Sequence, residues 1–500
     1  MTIYQQDWTA KWAQYAPDKI AFREFETGRT YTYGTLNQLG NRLARHLVIE
    51  RGLKKGDRIA IISENCLEYM VLFAAAQKTG CILVPLNYRL TANEIDFLIQ
   101  NAAPSMVIWQ ESFGEVLERS EAFASVANRW SMNELASFCN PDLLVSEDAQ
   151  FDCEPVSEDD PIFILYTSGT SGFPKGALYT HNMLFWNSIN TALSLIINSE
   201  SRTVNCMPPF HTGGWNVLTT PFLHHGAYTC MMNKFEPDAL LRLLAEDQVT
   251  VFMGVPTMLA RMAESPEFEE VDLSHMHYII VGGEAMPIPL IEKWHNKGVP
   301  IRQGYGMTEV GPNLTSLHQD DAVRKKGSIG RPNFYVQVRI TDEHGNSCDA
   351  NAVGELQLRG PMVTPGYWQN PEASASCMQD GWFKSGDMAK ADEEGFLYIV
   401  DRIKNMYISG GENVYPAEIE RVLLSHPAVE EAVVVSIPDP KWGEAGKAFV
   451  VQKTPVTDSE LSAFCRDKLA KFKVPREFEF VATLPRNDSG KINRNALKNG

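Results

Sequence analysis

Between residues 238 and 283 helical and extended signals alternate at close range. Asp238 to Gln248 carries apolar residues at helical spacing, Val249 to Val255 is a β-branched run, and Thr257 to Glu264 is helical again. His277 to Val281 is strand-like and ends on Gly282-Gly283. A chain of this kind must bury strand faces against helix stripes, which predicts α/β layers with ligands at the C-terminal ends of the strands. From about residue 326 to 400, short strands separated by Gly, Pro and Asp predict a small all-β unit. The last hundred residues predict a compact α+β module: helices over Pro416 to Ser425 and Ser459 to Ala470, strands over Ala432 to Ile437 and Lys447 to Val451. The charged stretch Asp401-Arg402-Ile403-Lys404-Asn405 marks the boundary, giving domains 1–402 and 403–500. A chain of 500 residues exceeds one comfortable core, so more than one domain is expected.

The apolar run Ile162-Phe163-Ile164-Leu165 leads directly into Tyr166-Thr167-Ser168-Gly169-Thr170-Ser171-Gly172-Phe173-Pro174-Lys175-Gly176. Glycines let the backbone approach an anion, and N–H groups, hydroxyls and one lysine neutralise it, so this loop reads as a phosphate cradle. The Gly-x-x-x-x-Gly-Lys-Ser/Thr spacing of the P-loop is absent.

Four further segments belong with it. Gly282-Gly283-Glu284-Ala285 and Gly304-Tyr305-Gly306-Met307-Thr308-Glu309 each follow a strand-like run. Small residues let a flat base slide against the backbone, Tyr305 offers a ring to stack on it, and Glu309 is a hard oxygen ligand suited to Mg²⁺. Taken alone, Gly-Tyr-Gly is more often just a turn. Trp382 to Asp387 ends in a carboxylate able to accept from ribose hydroxyls, although a solvated turn aspartate fits the same letters. Near the end, Pro485-Arg486-Asn487-Asp488-Ser489-Gly490-Lys491-Ile492-Asn493-Arg494 sets a lysine beside a glycine, from where a mobile point charge can be delivered.

A formal charge of −17 argues against a nucleic-acid surface. The start shows no basic, then apolar, leader, and the apolar stretch Val71 to Leu86 is broken by Gln77-Lys78-Thr79-Gly80, too polar to span a membrane. Nine cysteines without a Cys-x-x-Cys pair fit free thiols in a reducing cytoplasm, with peripheral membrane association left open.

Taken together, Tyr166–Gly176, Gly304–Glu309, Ser385–Asp387, Asp401–Glu420 and Pro485–Arg494 resemble, over essentially the whole chain, the acyl- and aryl-CoA synthetase branch of the adenylate-forming (AMP-binding) superfamily. The resemblance implies a large N-terminal domain of two α/β subdomains plus a β-barrel, a mobile C-terminal α+β lid, and a two-step reaction using ATP, Mg²⁺ and CoA. It implies that Thr167, Ser168, Gly169, Thr170, Ser171, Gly172 and Lys175 hold phosphates, that Gly283, Glu284, Ala285, Tyr305, Gly306, Met307 and Thr308 frame the adenine side, and that Asp387 and Arg402 bind ribose. Glu309, with Thr167, matches the Mg²⁺ site, and Lys491 the lysine that bridges carboxylate and phosphate. Lys404 matches the hinge, and Ser409, Gly410 and Gly411 the CoA passage, although a tight turn fits that run equally well.

Pro208 to Trp215 matches the segment that begins the acyl pocket, with Gly304 nearby. His211 aligns with a residue near the substrate carboxylate, and Trp215 with a tryptophan that gates a fatty-acyl tunnel. A packed structural histidine and a core tryptophan remain the competing readings. No Lys or Arg in this segment calls for a second anionic group, so an apolar monocarboxylic acid is favoured, first a medium- or long-chain fatty acid. An aryl or cinnamate-type acid, or a stand-alone module loading an acyl carrier protein, are the alternatives. The expected partners are these small molecules, and a homodimer is compatible with the reading.

Overall fold

The computed structural model describes residues 7–152, 154–167, 174–284, 286–409, 412–486 and 491–498. The chain divides into two compact units, Met1–Gln337 with Leu358–Phe383, and Val338–Gln357 with Lys384–Gly500.

In the first unit the α/β alternation is realised as three sheets. The strands Arg129–Ser131, Met106–Trp109, Arg58–Ile62, Ile82–Pro85 and Pro161–Thr167 lie in that order, all parallel, and Lys175–Thr180 turns back antiparallel on the last of them. A second sheet runs Thr30–Thr32, Ile20–Glu24, Tyr228–Met231, Arg202–Asn205. The third holds Val251–Gly254, Tyr278–Val281 and Ile301–Met307 in parallel, then Gly311–Ser316 and Arg331–Pro332 antiparallel. The helix Leu67–Thr79 is buried at every position, its two charged side chains, Glu68 and Lys78, being paired with Arg29 and Asp7. It takes up most of the long apolar stretch, and the strand Ile82–Pro85 takes the rest. Among the described residues no helix is long and apolar enough to cross a membrane. The eight described cysteines are all free.

The expected helices appear as Pro237–Glu246 and Pro256–Glu264, each opening on a proline at the first turn, where a missing N–H leaves no bond unmade. Two expectations are corrected. Gly304 to Met307 does not follow a strand but is its second half, paired to Gly311–Ser316. The Cβ that any other residue would place at 306 falls 2.2 Å from the Pro312 carbonyl oxygen, so the glycine serves close strand approach rather than a turn. The stretch 326–400 is not wholly β: Pro371–Ser376 is a helix, capped by the Asn370 side chain accepting from Ala373 N–H.

In the second unit residues 387–391, the last part of the strand Trp382–Ala391, pair antiparallel with Leu397–Arg402, Asp387 opposite Arg402. The C-terminal module is α+β. Its sheet runs Glu412–Val414, Tyr407–Ser409, Gly443–Gln452, Val429–Asp439, with Glu477–Phe480 parallel to Gly443–Gln452. The helices Pro416–Leu424 and Asp458–Lys468 bury Ile419, Leu423, Leu461 and Cys465 against it. Asp401 ties the module's entrance together. Its carboxylate accepts from Arg402 N–H at 2.6 Å, from Asn405 Nδ2 at 2.9 Å and from Ala417 N–H in the first turn of the helix at 2.8 Å.

Candidate active site

In the first unit the strands that flank the cradle pair antiparallel: Thr167 ends one, Lys175 begins the next, and the two lie opposite each other in the ladder. Ser168, Gly169, Thr170, Ser171 and Gly172 lie outside the described residues, as do Ala285, Gly410 and Gly411. Glu309 stands in a single 3₁₀ turn after the strand Ile301–Met307. Its Oε1 accepts from Tyr367 Oη at 3.0 Å and from Thr167 Oγ1 at 3.3 Å. Thr364 N–H donates to the Glu309 carbonyl at 2.7 Å. The Lys175 ammonium lies 5.4 Å from the centre of the Tyr367 ring, within cation–π range. Among the described residues no ion pair joins Lys175 to any carboxylate. Burial, reinforced by the Glu309 carboxylate, pushes the Tyr367 phenol pKa up, so the phenol is a donor at neutral pH.

Thr167, Lys175 and Glu309 are therefore brought together, along with Tyr367, which the sequence reading passed over. Gly366-Tyr367-Trp368 carries no charge or spacing that marks it; the bonds from Leu178 N–H to Gly366 O and from Trp368 N–H to Gly176 O bring it to the strand that begins at Lys175. Of the residues expected on the adenine side, Tyr305 and Gly306 lie in the paired strand, and Gly283, two residues past Tyr278–Val281, adopts φ +86°, a conformation that favours glycine. Glu284 is exposed, while Met307 and Thr308 are half-buried before Glu309. Gln303 Oε1 accepts from Met286 N–H at 3.0 Å, fixing the chain just beyond this turn.

The segment at 208–215 is wound tightly. His211 N–H donates to Pro208 O, Gly214 N–H donates to His211 O, and a Cβ at 214 would fall 2.5 Å from Pro208 O. Trp215, 1% exposed, donates its indole N–H to Pro209 O at 2.7 Å and packs on Tyr69, Phe73 and Phe163. It is a core side chain in this structure. The His211 ring stands beside Phe210 and is partly exposed. Gly304 lies under the Thr315 carbonyl, 3.2 Å from where its Cβ would be.

In the second unit Asp387 is buried and Arg402 Nε reaches its Oδ1 at 2.5 Å, so it is not a solvated turn aspartate. Gly386, at φ +69°, permits the local twist, and Ser385 Oγ accepts from Asp387 N–H while donating to Leu356 O. Lys404 sits in the 3₁₀ turn Ile403–Asn405. Partial desolvation lowers its pKa, as do the cations Arg402, Lys491 and Arg494, with Asp387 opposing. Arg402, Lys491 and Arg494 thus each lie within electrostatic reach of Lys404, a setting that favours an anion there. Lys491 itself is exposed. Three residues on, Arg494 forms a two-pronged bond with the buried Glu420 at 2.6 and 2.8 Å and donates to Val434 O at 2.8 Å, while Glu420 also accepts from Val434 N–H at 2.7 Å.

The sequence profile of the AMP-binding enzyme family matches residues 9–368, and that of the AMP-binding enzyme C-terminal domain matches residues 418–491. The chain belongs to the AMP-binding enzyme family. Among its curated relatives is a feruloyl-CoA synthase from Amycolatopsis sp., 36% identical over 97% of this chain and 96% of that one. A long-chain fatty acid–CoA ligase of Mycobacterium tuberculosis is 35% identical over the same shares. A solved o-succinylbenzoate CoA synthetase from Bacillus subtilis, in complex with its acyl-adenylate intermediate, superimposes with a TM-score of 0.87 at 32% identity, covering 99% of this chain and 98% of that one. This AMP-binding enzyme is an acid–thiol ligase of the acyl/aryl-CoA type.

Proposed function

We propose that the protein joins an apolar monocarboxylic acid to CoA in two half-reactions, the acid being first a medium- or long-chain fatty acid. One carboxylate oxygen attacks the α-phosphorus of ATP, the bond to the bridging oxygen breaks, and pyrophosphate leaves; the CoA sulfur then attacks the acyl carbon of acyl-AMP and AMP leaves. The observation that carries this reading is the pairing of Thr167 and Lys175 across one antiparallel ladder with Glu309 hydrogen-bonded at its end, an ammonium and a carboxylate kept from neutralising each other. Lys175 and the Thr167 hydroxyl hold phosphate oxygens. Asp387, oriented by Arg402, accepts from ribose, and Lys491 carries its charge to the carboxylate and phosphate as they meet.

Glu309 fits a magnesium ion: it offers a carboxylate with Oε2 unengaged by any described residue, beside the Thr167 hydroxyl, all hard oxygen donors. Bound there, the ion would offset charge on the triphosphate as it reorganises. Ser409, Gly410 and Gly411 are proposed to border the CoA passage, with Lys404 as the hinge between a lid beginning near residue 403 and the rest. His211 is proposed to bound the acid, and no Lys or Arg in 208–215 asks for a second acidic group.

A second reading, an aryl acid, is favoured by the similarity to a feruloyl-CoA synthase. Pyrophosphate release across a panel of acids, with and without CoA, separates the two. Turnover of octanoate or palmitate with CoA supports the fatty-acid reading, and turnover of cinnamates alone sinks it. Acyl-AMP that accumulates unchanged in the presence of CoA would instead point to carrier-protein loading.

A further inference from the structure

Tyr367 touches both charged groups of this site. Its hydroxyl donates to Glu309 Oε1 at 3.0 Å, and its ring face lies under the Lys175 ammonium, 5.4 Å from the ring centre. The residue is held by its backbone. Tyr367 N–H donates to Ser374 Oγ at 2.8 Å, Asn370 N–H donates to Tyr367 O at 3.2 Å, and Tyr367 is bridged to Ala177 on the Lys175 strand. A lysine and a glutamate at one mouth, left to themselves, satisfy each other as an ion pair, and neither is then available to a phosphate or a cation. Here no such pair forms among the described residues. The phenol satisfies one oxygen of the carboxylate, the aromatic face satisfies the ammonium, and Glu309 Oε2 has no bond to any described residue.

We propose that Tyr367 is a positioning residue that holds Glu309 and Lys175 apart, so that the carboxylate presents one oxygen to a divalent cation and the ammonium stays available to phosphate. This rests on the reading of Glu309 as the cation ligand. Replacement by phenylalanine removes the hydroxyl and keeps the ring. Replacement by leucine removes both.

The test uses the full-length enzyme and three measurements: the Mg²⁺ dependence of acid-dependent pyrophosphate exchange, Mn²⁺ binding with a non-hydrolysable ATP analogue followed by electron paramagnetic resonance, and the thermal midpoint. Loss of one hydrogen bond to a charged group is expected to weaken metal binding about tenfold in Tyr367→Phe, at a near wild-type thermal midpoint because the backbone anchors remain. Tyr367→Leu is expected to lose in addition about threefold in affinity for the nucleotide analogue. Because Tyr367 acts through Glu309, the double variant Tyr367→Phe/Glu309→Gln should bind metal no worse than Glu309→Gln alone. Wild-type metal dependence in Tyr367→Phe, or losses that add in the double variant, would overturn the proposal. Glu309→Gln separates the two levels: undiminished Mn²⁺ binding there removes the reading of Glu309 and the inference with it, whereas loss there with none in Tyr367→Phe removes the inference alone.

Discussion

The Arg494–Glu420 pair sets how firmly the segment carrying Lys491 is held, and Glu420→Gln perturbs it with little change in shape. The native carboxylate accepts three hydrogen bonds, two from Arg494 and one from Val434 N–H. A glutamine oxygen retains Val434 N–H and one Arg494 N–H, but its amide nitrogen then faces the other guanidinium N–H, donor against donor, at a contact that is now 2.8 Å. One charge-assisted bond is lost and the half-buried guanidinium loses its counter-charge, together about 2–3 kcal/mol, or roughly 30- to 150-fold in the equilibrium between held and released tail. Global stability should fall by less than this, because the tail can detach while the sheet and the helix Pro416–Leu424 stay folded. The assay follows the half-reactions separately: acid-dependent pyrophosphate exchange for the first, thioester formation from supplied acyl-AMP for the second. Glu420→Gln should slow the first by about tenfold or more and leave the second within about twofold. Equal loss in both, or no loss in either, refutes the argument that this pair delivers Lys491.

Gly306→Ala should be far more damaging than Gly304→Ala, since its methyl meets the Pro312 backbone at 2.2–2.5 Å whereas that of residue 304 meets one carbonyl oxygen at 3.2 Å. A thermal melt is expected to register a loss of about 1–3 kcal/mol or more for the first, and equal melts would contradict the strand-contact argument. Trp215→Ala should cost about 3–5 kcal/mol in chemical denaturation; unchanged stability with a raised KM for long-chain acids alone would make Trp215 a gate rather than a core residue. Burial lowers His181 to about 4 and His224 to about 3, the latter helped by His225. The unfolded chain therefore takes up protons that the folded one refuses. Stability present above pH ~6.5 should fall on acidification through those values, by about 1.4 kcal/mol per pH unit for each histidine. Denaturation at stepped pH should show His224→Asn with a shallower slope, and an unchanged slope would remove His224 from the account.

The α/β alternation was legible because period and punctuation coincide: Pro237 and Pro256 start helices, and the short apolar strand Val251–Gly254 lies between them. Gly304 to Met307 was misread because small residues signal a turn locally, while the constraint on them, the Pro312 backbone, lies on the neighbouring strand. The charged candidates stood out in the sequence as charges in glycine-rich surroundings, and the structure brings Thr167 and Lys175 to Glu309, and Asp387 to Arg402. Their supports were not legible. Tyr367 meets a carboxylate 58 residues away and Arg494 one 74 residues away, and neither carries a local pattern that distinguishes it from a packing tyrosine or a surface arginine. The acid is the least legible part, because its candidate walls are apolar and their letters also describe core.

The central claim, that the acid passes through acyl-AMP, is tested most directly by oxygen transfer. An acid labelled with heavy oxygen in its carboxylate is turned over with ATP and CoA, and the products are weighed by mass spectrometry. Attack of the carboxylate on the α-phosphorus predicts that one labelled oxygen leaves in AMP and that pyrophosphate stays unlabelled. Label appearing in inorganic phosphate alongside ADP, with AMP unlabelled, would contradict it.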